Sequence, residues 1–147
     1  MERDSSITLY NKYKVGTKEM YAKTVIENAT WRGGIESSVT TDQSSKGQVN
    51  MAKDIKIRIP IYNNDFGGGK TYIDEKAWGK LSESDKLNNY FTMQEGDRVV
   101  KGECAYTYSP TTPITDLNNV DNVISIMAYK VNNYGSKFLQ HYFIGGK

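Results

Sequence analysis

Residues Asp54-Ile55-Lys56-Ile57-Arg58-Ile59-Pro60-Ile61-Tyr62 read DIKIRIPIY, with isoleucine at every second position of the run. A side-chain period of two puts the isoleucines on one face and Lys56, Arg58, Pro60 and Tyr62 on the other. One buried face and one wet face is the pattern of an antiparallel strand. Pro60 has no amide hydrogen to give to a ladder, so it marks either an edge strand or the end of the pairing.

Further β signals lie on both sides of this run. Asn122 to Val131, NVISIMAYKV, is rich in β-branched and aromatic residues. Phe138 to Ile144 follows after Asn132-Asn133-Tyr134-Gly135-Ser136, which reads as a hairpin connection. Asp97 to Tyr108 reads as a strand entered through the turn Glu95-Gly96-Asp97. Glu19 to Glu27 and Thr30 to Val39 carry weaker strand signals, broken by Gly33-Gly34. Helical content is minor. Asp74 caps a short helix over Glu75 to Leu81, and Ser82 to Asp85 cap a second over Lys86 to Tyr90. Thr115 starts a turn of helix through Leu117. From Thr40 to Ala52 the chain is Ser, Gln, Gly, Asn and Lys with too little apolar surface to fold alone. The expected architecture is mainly β: a small antiparallel β-barrel or sandwich with one or two short helices. A single domain over residues 1–147 is expected, with extended loops at about 40–53 and 63–72.

Composition narrows the function classes. The 147 residues include 11 Tyr and 4 Phe, and tyrosine suits half-buried sheet faces and protein contact surfaces. The net charge of +2 is too small for an electrostatic footprint on nucleic acid. Cys104 is the single cysteine, which excludes an intrachain disulfide and a zinc site of several thiolates. No apolar stretch approaches the roughly 18–20 residues of a membrane span. The opening MERDSSITLY is charged and polar, unlike a signal peptide. A soluble protein made in a reducing compartment is expected.

The stretch most suggestive of chemistry is Asp65-Phe66-Gly67-Gly68-Gly69-Lys70-Thr71. A phosphate-binding loop needs G-x-x-x-x-G-K-[ST] between a strand and a helix. Asn64 stands where the first glycine belongs, and Thr71-Tyr72-Ile73-Asp74 is β-like rather than helical. The stretch reads as a flexible tip whose glycines permit positive φ. His141, the single histidine, reads as an ordinary strand residue rather than the base of a triad. Cys104 reads as an inert thiol in a strand. The carboxylate pairs Asp74/Glu75 and Glu83/Asp85 lie on exposed helical turns, and no metal or cofactor constellation is evident. Tyr10-Asn11-Lys12-Tyr13-Lys14 interleaves aromatic and basic residues, and with a near-neutral chain it reads as a protein contact before a nucleic-acid one.

An ordered series of segments suggests a family: SITLYNKYK near the start, TWRGG at Thr30–Gly34, DIKIRIPIY at Asp54–Tyr62 and YIDEKAWGKL at Tyr72–Leu81. YFTMQEGDRVVKGE at Tyr90–Glu103 and LQHYFIGGK at Leu139–Lys147 complete it. The series resembles a family of uncharacterised phage and prophage proteins of Gram-positive bacteria, encoded among virion-assembly genes near those for head-to-tail joining. It departs from that family at Phe91-Thr92-Met93-Gln94-Glu95-Gly96-Asp97, where the family has Trp-Thr-Leu-Gln-Pro-Gly-Asp, and at His141-Tyr142, where it has His-Trp.

The resemblance implies a virion context and no reaction. It implies a non-enzymatic neck or stopper-type subunit in a homo-oligomeric ring, assembled in the bacterial host cytoplasm. Its partners would be neighbouring neck or tail proteins, with DNA at most passing through the lumen and no membrane involved. Tail completion or termination is the alternative within that context. A nucleic-acid or nucleotide-binding protein of a mobile element, and a small hydrolase using His141, are the alternatives outside it. Ser44, Ser45, Lys46, Asn64, Asp65, Phe66, Gly67, Gly68, Gly69 and Lys70 are the candidate subunit-contact loop. Trp31, Trp78, Gly96, Asp97, Lys101 and Gly102 are candidate turn or core residues, the two tryptophans as core before interface.

Overall fold

A computed structural model describes residues 5–33, 54–62, 64–67, 69–109, 111, 113–119 and 122–147. The described residues form eight strands: β1 (Ser5–Val15), β2 (Lys18–Gly33), β3 (Ile55–Pro60), β4 (Thr71–Tyr72), β5 (Tyr90–Phe91), β6 (Arg98–Lys101), β7 (Val123–Asn132) and β8 (His141–Gly146). Two short helices, α1 (Glu75–Trp78) and α2 (Glu83–Asn88), lie between β4 and β5. Six strands pair antiparallel in the cyclic order β1-β2-β3-β8-β7-β6, with β6 returning to β1, which gives a barrel-like sheet. The mainly β architecture with two short α-helices expected from the sequence is what the chain adopts.

The isoleucine run forms β3 as its period requires. Ile55, Ile57 and Ile59 are buried, and Lys56 and Arg58 are exposed. β3 is not an edge strand, because it pairs with β2 on one side and β8 on the other. Pro60 marks the end of pairing instead: the β2 ladder runs only to Arg58, and Pro60 faces His141 on β8 alone.

The sheet turns its corners on two long strands that each serve two neighbours. β2 pairs with β1 as far as Ala29 and with β3 from Thr30 onward. β7 pairs with β6 through Ser125 and with β8 from Ile126 onward. The change of partner on β7 coincides with a register shift between Ile126 and Ala128, a bulge that pushes Met127 into solvent. Gly146 sits opposite, where a Cβ would overlap the Ser125 carbonyl oxygen, so only glycine allows the strands to approach this closely.

Several boundaries differ from the sequence expectations, each for a local reason. β1, unread in the sequence, is a full strand whose central residues are buried on both faces. Ile7 and Leu9 enter the main core, while Tyr10 packs with Val100 and Leu117 on the outer side. In YNKYK, Tyr10 and Tyr13 are thus core side chains rather than contact residues. The expected strand Asp97–Tyr108 pairs only over Arg98–Lys101. The chain turns at Gly102 (φ +84°), and Thr8 Oγ1 then bridges the segment, donating to the Gly102 carbonyl at 2.8 Å and accepting from Cys104 N–H at 2.9 Å. β8 starts at His141, because Lys137–Leu139 form a 3-10 turn capped by Ser136. Asp74 and Ser82 cap α1 and α2 as expected, although α2 begins at Glu83 rather than Lys86. The expected turn after Thr115 lies within a 3-10 helix over Ile114–Asn119. Residues 40–53, including Ser44, Ser45 and Lys46, lie outside the described residues, as do Gly68 and the 34–39 part of the expected second strand.

The two helices pack against β1 and β2. Trp78 packs with Tyr13 and Ala22, and its indole N–H donates to the Lys12 carbonyl at 3.2 Å. Lys86 lays its ammonium over the rings of Tyr13 and Trp78, and Tyr13 donates its hydroxyl to Glu83 at 2.9 Å. From the last residue of β5 onward, the segment Phe91-Thr92-Met93-Gln94 is buried at every residue, Phe91 and Met93 in the main core. Asn11 serves its backbone from β1. Its side-chain oxygen accepts from Thr92 N–H at 3.1 Å, and its amide donates to the Thr92 carbonyl at 2.6 Å.

Two substitutions test this account in denaturant unfolding. Trp78→Ala removes the side chain that joins the helices to β1 and is expected to cost about 3–5 kcal/mol; a loss below about 1 kcal/mol would mean the helices are not anchored there. The Thr92 hydroxyl is buried with no hydrogen-bond partner, while its backbone groups are served by Asn11. Thr92→Val should therefore stabilise the fold by about 1–2 kcal/mol, against the usual sign for a buried Thr.

Candidate interaction surface

The glycine-rich loop does not project as a free tip. Asn64 donates its amide to the Asn28 and Pro60 carbonyls at 2.8 and 3.0 Å and accepts from Asn28 N–H at 3.1 Å, so it pairs with β2 as a strand residue would. Phe66 bridges to Ile26 and packs its ring against Phe91 and Tyr142. Gly67 holds φ +62°, with Thr24 where a Cβ would sit. Gly69 is likewise left-handed, at φ +101°. Lys70, 7% exposed, turns inward and donates to the Lys23 carbonyl and to Thr24 Oγ1, both at 2.8 Å. Burial pushes its ammonium down to about 8. The cation that a phosphate loop would aim outward is consumed by the chain's own β2.

Beside this loop lies a concavity of about 580 Å³ lined by Ser6, Val25, Glu27, Asn28, Asp65, Gly67 and Glu103. Its three carboxylates make the surroundings hostile to a phosphate. Among the described residues no group of three His, Cys, Asp or Glu side chains is placed to hold a metal ion. Among them, too, no helix is long and apolar enough to cross a membrane.

Of the remaining candidates, Trp31, Trp78 and Asp97 lie inside the molecule. Trp31 and Trp78 are both buried, in separate clusters. Lys101 ends β6 opposite Ile7, exposed, and Gly102 makes the turn that follows. Gly96, at φ +88°, donates its N–H to the Ile126 carbonyl and so positions Asp97. Asp97 is fully buried. It accepts from the Asn11 amide at 2.7 Å, from Lys12 N–H at 3.1 Å and from Gln94 Nε2 at 3.2 and 3.4 Å. These donors favour the carboxylate, but burial outweighs them and raises the group to about 7. Asp97 thus ties β1 to the turn ahead of β6, and what the sequence marks as the turn entering a strand is a buried polar clamp.

The surface that stands out is one the sequence reading missed. Residues 133–140 connect β7 to β8 and carry Tyr134, Phe138 and Leu139, each 68–71% exposed. Tyr62, at the end of the β3 run, stacks edge-on against Phe138 with ring centroids 5.1 Å apart, and Lys137 lies over the Tyr62 ring at 6.0 Å. The tip is tied down throughout. Ile61 N–H donates to the Gln140 carbonyl at 3.1 Å, the Gln140 amide donates to the Gly135 carbonyl at 3.2 Å, and Leu139 N–H donates to the Ser136 carbonyl at 2.9 Å. His141 belongs to the same scaffold. Its Nδ1 lies 2.9 Å from the Leu139 carbonyl, which can only accept, so Nδ1 carries the hydrogen and Nε2 of the neutral ring accepts from Asn132 at 3.0 Å. Both ring nitrogens are thus engaged in holding the tip. Expecting one continuous strand from Phe138 to Ile144 concealed it, because alternation would have buried every second residue.

Asp97 yields a pH prediction. Its pKa in the fold, about 7, lies above the value of 3.8 it takes when exposed, so between these pH values the folded chain binds more protons than the unfolded one. The stabilisation from protonating Asp97 is full below about 4 and is lost as pH rises through about 7. Asp97→Asn should abolish this fall in stability across pH 4 to 7. It should also lower stability by about 1–3 kcal/mol, because an amide hydrogen then faces donors. Parallel unfolding curves for both proteins at each pH would refute the assignment.

No curated protein and no solved structure matches the chain. A family model described as "Family of unknown function (DUF6751)" matches residues 2–147. With the match running over almost the entire sequence, the chain belongs to this DUF6751 family of unknown function.

Proposed function

We propose that the protein is a non-enzymatic structural subunit that acts by associating with copies of itself, as a neck or head-to-tail joining component of a phage or phage-like particle. The observation that carries the self-association is the tip between β7 and β8. An ordered, hydrogen-bonded loop holds Tyr134, Phe138 and Leu139 out in water beside Tyr62. Covering one such side chain is worth about 1.5–3 kcal/mol, and aromatic side chains on a fixed frame are what interface centres are made of. The particle context rests on the resemblance of the ordered segments from SITLYNKYK to LQHYFIGGK, and on nothing in the geometry. The near-neutral charge and the inward-facing Lys70 support a protein partner over a nucleic acid or nucleotide.

Sedimentation of the purified chain over a range of concentrations tests the association. The expected result is an oligomer that dissociates when Phe138 and Leu139 are both changed to Ser, with the monomer still folded. A chain that stays monomeric at every concentration, and is missing from purified particles by immunolabelling, would overturn the proposal. Binding to DNA with a steep salt dependence would transfer support to the nucleic-acid alternative.

A further inference from the structure

The β3-β8-β7 ladder carries a second apolar feature at the end opposite the exposed tip. A concavity of about 250 Å³ opens beside the β7 bulge, lined by Ile55, Met127, Ala128, Phe143, Gly145 and Gly146. Its floor is nearly free of side chains, since Ala128, Gly145 and Gly146 put little above the backbone. Met127, 56% exposed because the bulge turns it outward, stands at one wall. The volume falls below the roughly 300–1,000 Å³ of a small-molecule site and suits one or two side chains.

We infer that this concavity receives the Phe138–Leu139 tip of a second copy of the chain, so that copies join head to tail. The inference rests on the self-association proposed above and names the surface that completes it. Two observations favour this occupant. The tip is convex and aromatic while the concavity is apolar and floored by backbone, whereas two convex tips meeting each other would bury little area. The two features also lie at opposite ends of one ladder, with Pro60 and His141 paired near the tip and Ile55 and Gly146 paired beside the concavity. A contact between two different patches of identical chains is heterologous and propagates into a ring or a filament.

Cysteine cross-linking tests the contact in a Cys104→Ser background. Phe138→Cys and Met127→Cys cannot bridge within one chain. The five β7 residues from Ala128 to Asn132 alone separate them by about 16 Å, well over the roughly 7 Å limit for a disulfide. Mixing the two single variants should give disulfide-linked dimers, and a chain carrying both substitutions should give a ladder of higher multiples. Met127→Glu should weaken association roughly tenfold or more, as Phe138→Ser does. Cross-linking of Phe138→Cys with itself would establish a tip-to-tip contact and overturn the inference. An oligomer that dissociates on Phe138→Ser but neither cross-links nor responds to Met127→Glu would overturn the docking site and leave the self-association standing. A monomer throughout would overturn both.

Discussion

Asn11 makes the one interaction on which the rest of the structure depends. The chain from Phe91 to Gln94 crosses the interior after β5 without a strand neighbour over Thr92 to Gln94. Buried backbone amides and carbonyls away from water must find partners. Asn11 satisfies both backbone groups of Thr92 with a single carboxamide and spends its remaining hydrogen on Asp97. A side chain here imitates the ladder of a neighbouring strand. Aspartate at that position would offer no donor to the Thr92 carbonyl, and leucine would leave both groups unpaired.

The clamp allows three layers to share β1. On the inner face Ile7 and Leu9 meet the isoleucines of β3 and Phe91 in the main core. On the outer face Tyr10 packs under the segment leaving Gly102, edge-on to Tyr106 and donating its hydroxyl to the Tyr106 carbonyl at 2.7 Å. Further along, Tyr13 joins Trp78 and Ala22 beneath the helices. Because Asn11 and Lys12 both donate to Asp97, the turn before β6 is registered to the same strand that β6 pairs with. Helices, outer segment and main core are therefore set by one strand rather than by three independent contacts.

That arrangement explains what the sequence could reveal. β3 was legible because it has one wet face, and Lys56 and Arg58 punctuate the isoleucines. β1 was illegible because Thr8 and Asn11 are as buried as Ile7 and Leu9, so no alternation of polarity survives to be read. The capping residues Asp74 and Ser82 were legible because capping is a local interaction between neighbours in sequence. Lys70 defeated a local reading for the opposite reason: its partners, Lys23 and Thr24, lie far back in the chain. The exposed tip was hidden by its own apolar residues, since Phe138 and Leu139 next to the isoleucine and tyrosine of β8 look like the start of a buried strand.

The cyclic pairing also constrains how such a protein meets another. Each of the six longer strands already has a neighbour on both sides, so along these ladders a partner finds few unpaired amides and carbonyls to extend the sheet. Association then depends on side chains, and those need a rigid platform to avoid a large ordering cost on binding. The loop between β7 and β8 supplies one: His141, Gln140 and Ser136 fix its backbone by hydrogen bonds while Tyr134, Phe138 and Leu139 are left without cover. A loop that needed only to connect two strands would not need this scaffold beneath so much exposed apolar surface. The polar groups that hold the tip and the apolar groups it displays together fit the preorganised contact proposed above.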